Sequence, residues 1–259
     1  MSVPVVAALL DSRGAHLALR RTLPATPPAV HTCRSFAGLR RAYTTRLLDA
    51  VIVGARALRA MDLPLLRREY PAIPVLAYGA FRPDDGAALL SLTERTGLAG
   101  ILVQGVDDAM AGDLVRRHSL SAARARALSE APRLLRLREP LQVAAWRRLV
   151  ISAGPGLTTD AVAEGLGVSR EHLSRQFAAG GAPNLKRVID LLRMVSAAQL
   201  LANPGYDLKT VATLLGFGTV SHLNAMSRRV AGIPASDLGA LTPMAVVAAF
   251  RRAGMRSRG

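Results

Sequence analysis

Five side chains with hydrogen-bonding groups lie within one short stretch of the sequence: Arg170, Glu171, His172, Ser174 and Arg175. An arginine can donate two hydrogen bonds to O6 and N7 of guanine, and a glutamate can accept one from the amino group of cytosine. We therefore interpret Arg175 and Glu171 as candidates for base recognition. The alternative for Arg175 is a solvated surface side chain, or one held in a salt bridge with Glu164 or Glu171.

The same stretch has the pattern of an amphipathic helix that follows a shorter helix. Leu173 and Phe177 recur four residues apart, and Ser169 is a good N-cap before them. Upstream, three apolar residues fall at helical spacing: Val162, Ala163 and Leu166. Gly167 follows them and tolerates the positive φ of a tight turn. Two helices joined by such a turn form a helix-turn-helix, whose second helix enters the major groove of DNA.

This pattern occurs twice. The segment Val162-Ala163-x-x-Leu166-Gly167-Val168 returns 49 residues later as Val211-Ala212-x-x-Leu215-Gly216-Phe217. His222-Leu223 then follows where the first copy has His172-Leu173, with one extra residue in the turn. Between the copies, residues 184–202 have helical spacing of apolar residues, and a helix of this length spans roughly 28 Å. Because one turn of DNA is roughly 34 Å, the two copies are predicted to enter successive major grooves.

Residues from about Gln142 to Leu241 resemble the tandem helix-turn-helix domain of the AraC/XylS family of bacterial transcription regulators. The residues that carry this resemblance are Gly181-x-x-Asn184, Arg193, Ala197, Leu200-Leu201, Gly216-Phe217 and Gly232-Ile233-Pro234. The resemblance implies two sets of base contacts: Glu171, Ser174 and Arg175 in the first groove, and Val220, Ser221, His222 and Asn224 in the second. The chain departs from the family at Ala225, where the family usually has arginine, and at Ser227, where it usually has a large apolar residue.

Five basic side chains near the two predicted recognition helices are suited to DNA phosphates: Arg170, Lys186, Arg187, Arg228 and Arg229. Such contacts set the register of a protein on the duplex without reading its sequence. The net charge of +16 is consistent with a polyanionic partner, but it does not distinguish DNA from RNA or anionic lipid. We expect double-stranded DNA to be the partner.

Composition argues against other classes of function. The five histidines have no metal-ligand spacing, and we find no phosphate-binding loop of the Gly-Lys-Ser type and no nucleophile elbow. We therefore expect a protein that is not an enzyme and that needs neither a metal nor a cofactor. The single cysteine, Cys33, is predicted to be buried in a strand, and the sequence has neither a secretory leader nor an apolar run long enough to span a membrane. These features favour a bacterial cytoplasmic protein.

The N-terminal part alternates short apolar runs with amphipathic segments, which predicts five βα units and a doubly wound parallel sheet. The predicted strands lie near residues 3–10, 30–33, 50–53, 73–78 and 100–103, and the helices near residues 12–21, 36–46, 58–69, 84–96 and 107–118. This order of elements resembles the receiver domain of response regulators. Residues 1–118 are thus predicted to be a receiver-like α/β domain.

The receiver resemblance does not extend to phosphorylation chemistry. A receiver needs an Asp after the third strand, carboxylates after the first, a hydroxyl after the fourth and a Lys after the fifth. Those places hold Gly54, a single Asp11, Gly79 and Gln104. Without a nucleophile or enough oxygen ligands, Mg²⁺-dependent phosphorylation has no chemical basis. The open edge of the sheet suits a small-molecule effector, and the helices suit a protein effector or a homodimer.

The remaining segments complete the predicted organisation. Residues 119–139 read as a helical linker that Pro132 interrupts, and residues 140–259 read as the all-α DNA-binding domain with two helix-turn-helix units. The main hypothesis is a sequence-specific transcriptional regulator controlled by a receiver-like domain that is not phosphorylated. The alternative is a regulator that has lost much of its DNA reading and acts by binding another regulator.

Overall fold

A computed structural model describes residues 4–23, 29–60, 62–81, 91, 93–94, 96–152, 154, 156–178 and 181–256. Its contacts divide the chain into two compact units, Val3–Ala122 and Ala123–Gly259. The predicted linker, residues 119–139, is divided between these units.

The first unit alternates strands and helices. Its elements are β1 (Val6–Leu9), α1 (Arg13–Thr22), β2 (Val30–Thr32), α2 (Phe36–Thr45), β3 (Ala50–Val53), α3 (Ala55–Leu58), α4 (Asp62–Glu69), β4 (Val75–Gly79), β5 (Gly100–Val103), a 3₁₀ helix (Asp108–Met110) and α5 (Ala111–His118). The predicted helix over 58–69 is two helices, because the chain turns after Leu58 before α4 begins. Most of the predicted helix over 84–96 lies outside the described residues.

The five strands form one parallel sheet in the order β2-β1-β3-β4-β5. Val6 of β1 pairs with Val30 of β2 on one side and with Ala50 of β3 on the other. All four residues of β3 are 0% exposed, as expected for a strand covered by helices on both faces. The order is that of the flavodoxin-like doubly wound fold, which receiver domains share, so the predicted receiver-like α/β fold is confirmed.

The carboxyl edge of the sheet carries the residues that stand in the phosphorylation positions of a receiver. Gly54 follows β3, Asp11 lies shortly after β1, Gly79 ends β4 and Gln104 follows β5. The Asp11 carboxylate accepts a hydrogen bond from the backbone N–H of Arg56, with Oδ2 and N 3.1 Å apart. A Cβ on Gly54 would lie 2.7 Å from Cγ and Oδ2 of Asp11. Asp11 therefore fills the space that a side chain at position 54 would need.

The regular elements described in the second unit are helical. They are α6 (Leu120–Ala127, which begins in the first unit), α7 (Ala131–Leu134), α8 (Pro140–Ile151), α9 (Thr159–Glu164), α10 (Arg170–Ala178), α11 (Leu185–Leu201), α12 (Leu208–Leu214), α13 (Val220–Ala231), a 3₁₀ helix (Ala235–Ala240) and α14 (Pro243–Arg256). Trp146 on α8 is a core residue, 3% exposed. Pro132 lies in the first turn of α7, where a missing N–H costs nothing, and the interruption precedes it.

Helix α11 is the centre of the second unit. It has the predicted extent, because the side chain of Asn184 accepts a hydrogen bond from the Arg187 N–H and so caps its first turn. Most of its residues are buried, including Leu191, Leu192 and Met194 at 0% exposure. A helix that is apolar nearly all round must be covered on several sides. Helices α9, α10, α12, α13 and α14 all pack on it.

A buried arginine ties α6 to this core. Arg124 is only 3% exposed. Its Nε donates to Oε1 of Gln199 on α11 over 2.7 Å, and its Nη1 donates to the carbonyl oxygen of Val150 on α8 over 3.1 Å. Because a buried guanidinium is costly unless it is hydrogen-bonded, these two acceptors hold α6, α8 and α11 in one arrangement.

Candidate nucleic-acid interface

The first helix-turn-helix is built as its sequence pattern predicts. Val162 and Ala163 on α9 and Leu173 and Phe177 on α10 are at most 2% exposed, so the two helices close on each other through their apolar faces. Gly167 in the turn has a φ of +67°. This conformation is strained for any residue with a Cβ, which explains the glycine.

The opposite face of α10 is open to solvent. Four predicted DNA-contact residues are exposed on it: Arg170, Glu171, Ser174 and Arg175. The guanidinium of Arg170 lies 3.8 Å from the Asp160 carboxylate on α9, and both side chains are at least 60% exposed. Within the described part of the chain, Arg175 forms no ion pair, so the salt bridges considered for it are not formed. Its side chain is exposed to solvent.

The second helix-turn-helix repeats the backbone hydrogen bonds of the first. In the two turns, the N–H groups of Val168 and Phe217 donate to the carbonyls of Ala163 and Ala212, with N···O distances of 3.1 and 2.8 Å. Gly216 has a φ of +69°, close to that of Gly167. The predicted internal repeat is therefore a repeat of structure as well as of sequence.

The positions of the helix N-caps show where the extra residue of the second helix-turn-helix lies. Thr158 and Asp207, 49 residues apart, cap α9 and α12 in the same way. Ser169 caps α10 and Thr219 caps α13, and these caps are 50 residues apart. The extra residue therefore lies in the second turn, between Phe217 and Thr219.

The second recognition helix, α13, presents fewer free polar groups than α10. Ser221 and His222 are exposed, and Val220 is half-buried. The ring of His222 makes an edge contact with Phe217. Asn224 is also half-buried, and its Oδ1 accepts a hydrogen bond from the Ala235 N–H over 3.0 Å. The amide oxygen of Asn224 is thus used within the protein rather than left free for a base.

The departure at Ser227 has a structural compensation. Ser227 is 0% exposed, and its hydroxyl donates to the carbonyl oxygen of Ile233 over 2.8 Å. Gly232, with a φ of +75°, ends α13 just before this acceptor. A hydrogen bond therefore fastens α13 where the related family uses apolar packing. Ala225 is exposed and contributes no hydrogen-bonding group at its position.

The predicted phosphate-contact residues differ in their surroundings. Lys186 and Arg228 are exposed. Arg187 lies over the ring of Phe250, with its Cζ 5.0 Å from the ring centroid. Arg229 donates to Oδ2 of Asp190 over 2.8 Å. Lys186, Arg187 and Arg229 line one cleft of about 350 Å³ at the N-terminus of α11, where the helix dipole also favours an anion.

Arg193 and Asp190 stabilise the elements of the candidate interface, and the sequence pattern did not predict these roles. Arg193 on α11 donates to the Leu215 carbonyl over 3.0 Å and stacks on Phe217 at 4.1 Å, which steadies the second turn. Burial lowers the pKa of Arg193, although Asp190 counteracts this effect. Asp190 pairs with Arg229 from a side chain that is 11% exposed. The sequence contains one signal for this pair, because Asp190 is a charged residue within an apolar helical stripe and therefore needs a partner.

Two features are absent from the described residues. They contain no group of three or more His, Cys, Asp or Glu side chains placed to hold a metal ion. No helix among them is long and apolar enough to cross a membrane.

Comparison with known proteins agrees with this geometry. A family model described as a helix-turn-helix domain matches residues 162–240, from α9 to the end of the second 3₁₀ helix. No curated protein matches the chain. Among solved structures, the crystal structures of full-length FixJ from B. japonicum align over 93% of this chain and 100% of that one, with 14% identity and a TM-score of 0.38. Over residues 162–240 the chain is similar to a helix-turn-helix domain, in agreement with the two repeated turns.

Proposed function

We propose that the protein is a sequence-specific DNA-binding transcriptional regulator that reads the major groove through α10 and α13. One observation carries the proposal. The polar face of α10 is exposed, while Leu173 and Phe177 on its other face are 0% exposed. A helix held rigidly from behind, with a row of hydrogen-bonding side chains in front, has what base reading requires.

In this mechanism Arg175 donates two hydrogen bonds to O6 and N7 of a guanine, and Glu171 accepts one from a cytosine amino group. Ser174 between them can donate or accept. Ser221 and His222 supply the corresponding groups on α13. The second helix is expected to discriminate less strongly, because Ala225 carries no polar group and the amide oxygen of Asn224 is engaged by Ala235.

Lys186, Arg187, Arg228 and Arg229, with Arg170, are proposed to contact phosphates. The cleft at the start of α11 groups Lys186, Arg187 and Arg229 around a helix N-terminus, which favours a phosphate oxygen. Arg229 is held there by Asp190 and would bind with little loss of side-chain entropy.

We further propose that the receiver-like unit controls this activity without phosphorylation. Position 54 has no nucleophile, and the carboxylate of Asp11 lies where a side chain at that position would project. Control must then come from an effector that binds the unit, or from association of two copies.

The test of the function is selection of genomic DNA fragments by the full-length protein at physiological salt. Reading by both units predicts a motif of two blocks about one helical turn apart, and reading by α10 alone predicts one block. Recovery of random fragments, with affinity that disappears as salt rises, would contradict sequence-specific binding.

A matched pair of variants tests the roles of the side chains. Arg175→Ala should cost about 1–3 kcal/mol on the selected site and flatten the preference at one base pair. Arg228→Ala, an exposed arginine on α13, should weaken binding to all sequences alike. An equal loss on selected and random DNA for Arg175→Ala would remove its assigned role.

A second candidate is a regulator that acts mainly by binding another protein. The observation in its favour is the reduced polar surface of α13, where Ala225 is exposed and the amide oxygen of Asn224 is engaged by Ala235. The ratio of the affinities for selected and random DNA at physiological salt separates the two candidates. A protein that reads bases keeps a higher affinity for its selected site, whereas a protein whose DNA contact is incidental binds all duplexes alike and loses that binding as salt rises.

A further inference from the structure

The first unit contains a cavity that the proposed DNA binding does not use. It has a volume of about 650 Å³ and lies between α1 and the carboxyl end of β2. Ligand pockets in proteins usually measure about 300–1,000 Å³. The carboxyl edge of a parallel sheet is also where ligands bind in this architecture.

One face of α1 forms a wall of this cavity. The wall residues on it follow the spacing i, i+3, i+4, i+7: Arg13, His16, Leu17 and Arg20. Ala15 and Leu19, on the other side of α1, pack against the sheet at 3% and 0% exposure. Leu17, in contrast, is 47% exposed. The packing of Ala15 and Leu19 holds α1 on the sheet, so the side chains on its cavity face have a fixed position.

The opposite wall comes from the end of β2 and the residues after it, Thr32, Cys33 and Arg34. Nη2 of Arg20 donates to Oγ1 of Thr32 over 3.3 Å, which joins the two walls. The three arginines described around the cavity, Arg13, Arg20 and Arg34, are all exposed. They retain donors for a ligand.

The charge around the cavity is strongly one-sided. Among the described residues, its ionisable lining consists of three arginines, His16, Cys33 and one carboxylate, Asp11. The Asp11 carboxylate accepts a hydrogen bond from the Arg56 N–H and lies over Gly54. One carboxylate cannot balance three guanidinium groups, so this lining keeps an excess of positive charge.

His16 adds a polar atom without a partner. Its Nδ1 lies 3.0 Å from the carbonyl oxygen of Ser12, so Nδ1 must carry the proton of that hydrogen bond. Its Nε2 is buried and has no hydrogen-bond partner among the described residues. A buried polar atom without a partner is costly, and a ligand group in the cavity is one means of satisfying it after a small side-chain movement.

We infer that this cavity binds a small organic anion, a phosphate ester or carboxylate whose charge meets Arg13 and Arg34 and whose apolar part rests on Leu17. A guanidinium can donate two parallel hydrogen bonds to two oxygens of one carboxylate or phosphate group. This bidentate geometry gives specificity as well as affinity. The concave shape suits a small molecule, because small-molecule sites in proteins are clefts or cavities. The ligand would be the effector of the proposed regulator, and in this respect the inference rests on the proposed function.

Binding can be tested without DNA, so that failure of this site and failure of the proposed function are distinguishable. The probes are phenyl phosphate and benzoate, with phenol as the uncharged control and inorganic phosphate as the control without an apolar part. Isothermal titration calorimetry of the full-length protein in 150 mM salt, about the physiological ionic strength, is expected to give one saturable site for at least one organic anion. Phenol should not bind, and inorganic phosphate should bind more weakly.

Matched variants locate the site. Arg13→Met and Arg34→Met are each expected to weaken binding about tenfold, the loss of one charge-assisted hydrogen bond. Arg41→Met, an exposed arginine of α2 outside the cavity, should leave the affinity unchanged. Lys186→Met should also leave it unchanged, because that residue lines the other basic cleft. All four side chains are exposed, so the variants are expected to fold.

Cys33 gives a second, local measurement. It is the single cysteine of the chain and lines the cavity, and burial raises the pKa of its thiol. A saturating organic anion should therefore slow its alkylation by iodoacetamide at alkaline pH several-fold, and phenol should not. The inference is overturned by the absence of saturable binding, by unchanged affinity in the Arg13 and Arg34 variants, or by loss of binding in Lys186→Met.

Discussion

Replacing Gly54 by alanine is expected to destabilise the first unit only while Asp11 is present. The backbone is not the reason, because Gly54 has φ −80° and ψ 171°, which any residue can adopt. The reason is space, since the new Cβ would lie 2.7 Å from Cγ and Oδ2 of Asp11. Asp11 would have to turn away and lose the hydrogen bond from the Arg56 N–H.

The magnitude follows from three contributions. Loss of the hydrogen bond costs about 1 kcal/mol, and moving Asp11 from its preferred rotamer costs about 0.5–1.5 kcal/mol. Against these, alanine at a compatible position stabilises by about 0.7 kcal/mol through the unfolded state. Gly54→Ala should therefore cost about 1 kcal/mol in the natural sequence. It should stabilise by about 0.7 kcal/mol in the Asp11→Ala background, which gives a coupling of about 1.7 kcal/mol.

The assay is urea unfolding of the full-length protein, followed by far-ultraviolet circular dichroism and by tryptophan fluorescence. Trp146, the single tryptophan, lies in the second unit. A transition seen by dichroism but not by fluorescence therefore reports the first unit. Gly105→Ala is the control, because Gly105 has a φ of +85° and open space around its Cβ position. Its cost should be the same with and without Asp11. An equal cost of Gly54→Ala in both backgrounds would refute the reasoning.

Three further predictions concern the second unit. Ser227→Ala should cost about 1–3 kcal/mol, because it leaves a carbonyl without its donor, and should lower the thermal midpoint of the unit while Ser221→Ala, an exposed serine on the same helix, does not. Arg124→Lys should destabilise the unit by a similar amount, measured by urea unfolding, since a lysine cannot reproduce two donors in fixed directions. Asp207→Ala should cost about 1 kcal/mol through loss of a helix cap. Hydrogen bonds from Thr210 lower the pKa of Asp207, so its carboxylate contributes stability above its unfolded pKa of about 4 and loses that contribution as pH falls through the lowered value. The difference between Asp207 and Asp207→Asn should therefore change between pH 5 and pH 2, in acid titrations of stability, and a constant difference would contradict this assignment.

Much of the fold was predictable because local patterns determine it. The strand from Ala50 to Val53 has the predicted bounds, since a short run of β-branched and small apolar residues suits a strand buried on both faces. The two turns were predictable from Gly167 and Gly216, because positive φ leaves few alternatives to glycine. The exposed and buried faces of α10 followed from helical periodicity alone.

The roles of several polar residues could not be predicted, because their partners are distant in sequence. Arg124 binds a side chain 75 residues away, and Arg229 binds one 39 residues away. Periodicity carries no information on such pairs. Asn224 illustrates the limit, since the family resemblance assigns it to a base while its amide oxygen accepts from Ala235 eleven residues on. The contact between the Asp11 carboxylate and Gly54 could not be predicted either. The two residues are distant in sequence and lie close together only because β1 and β3 pair in the sheet.

Because their turns differ by one residue, the two helix-turn-helix units are not interchangeable. Their backbone hydrogen bonds coincide through Phe217, but α13 begins one residue later relative to its turn than α10 does, and the two helices expose different side chains. Under the proposed function, a molecule that presents Arg175 on α10 and His222 on α13 cannot be turned around on its DNA site, because each helix would then meet the bases of the other. A single molecule that reads through both helices would therefore bind in one direction, with the same end always facing the DNA downstream of its site.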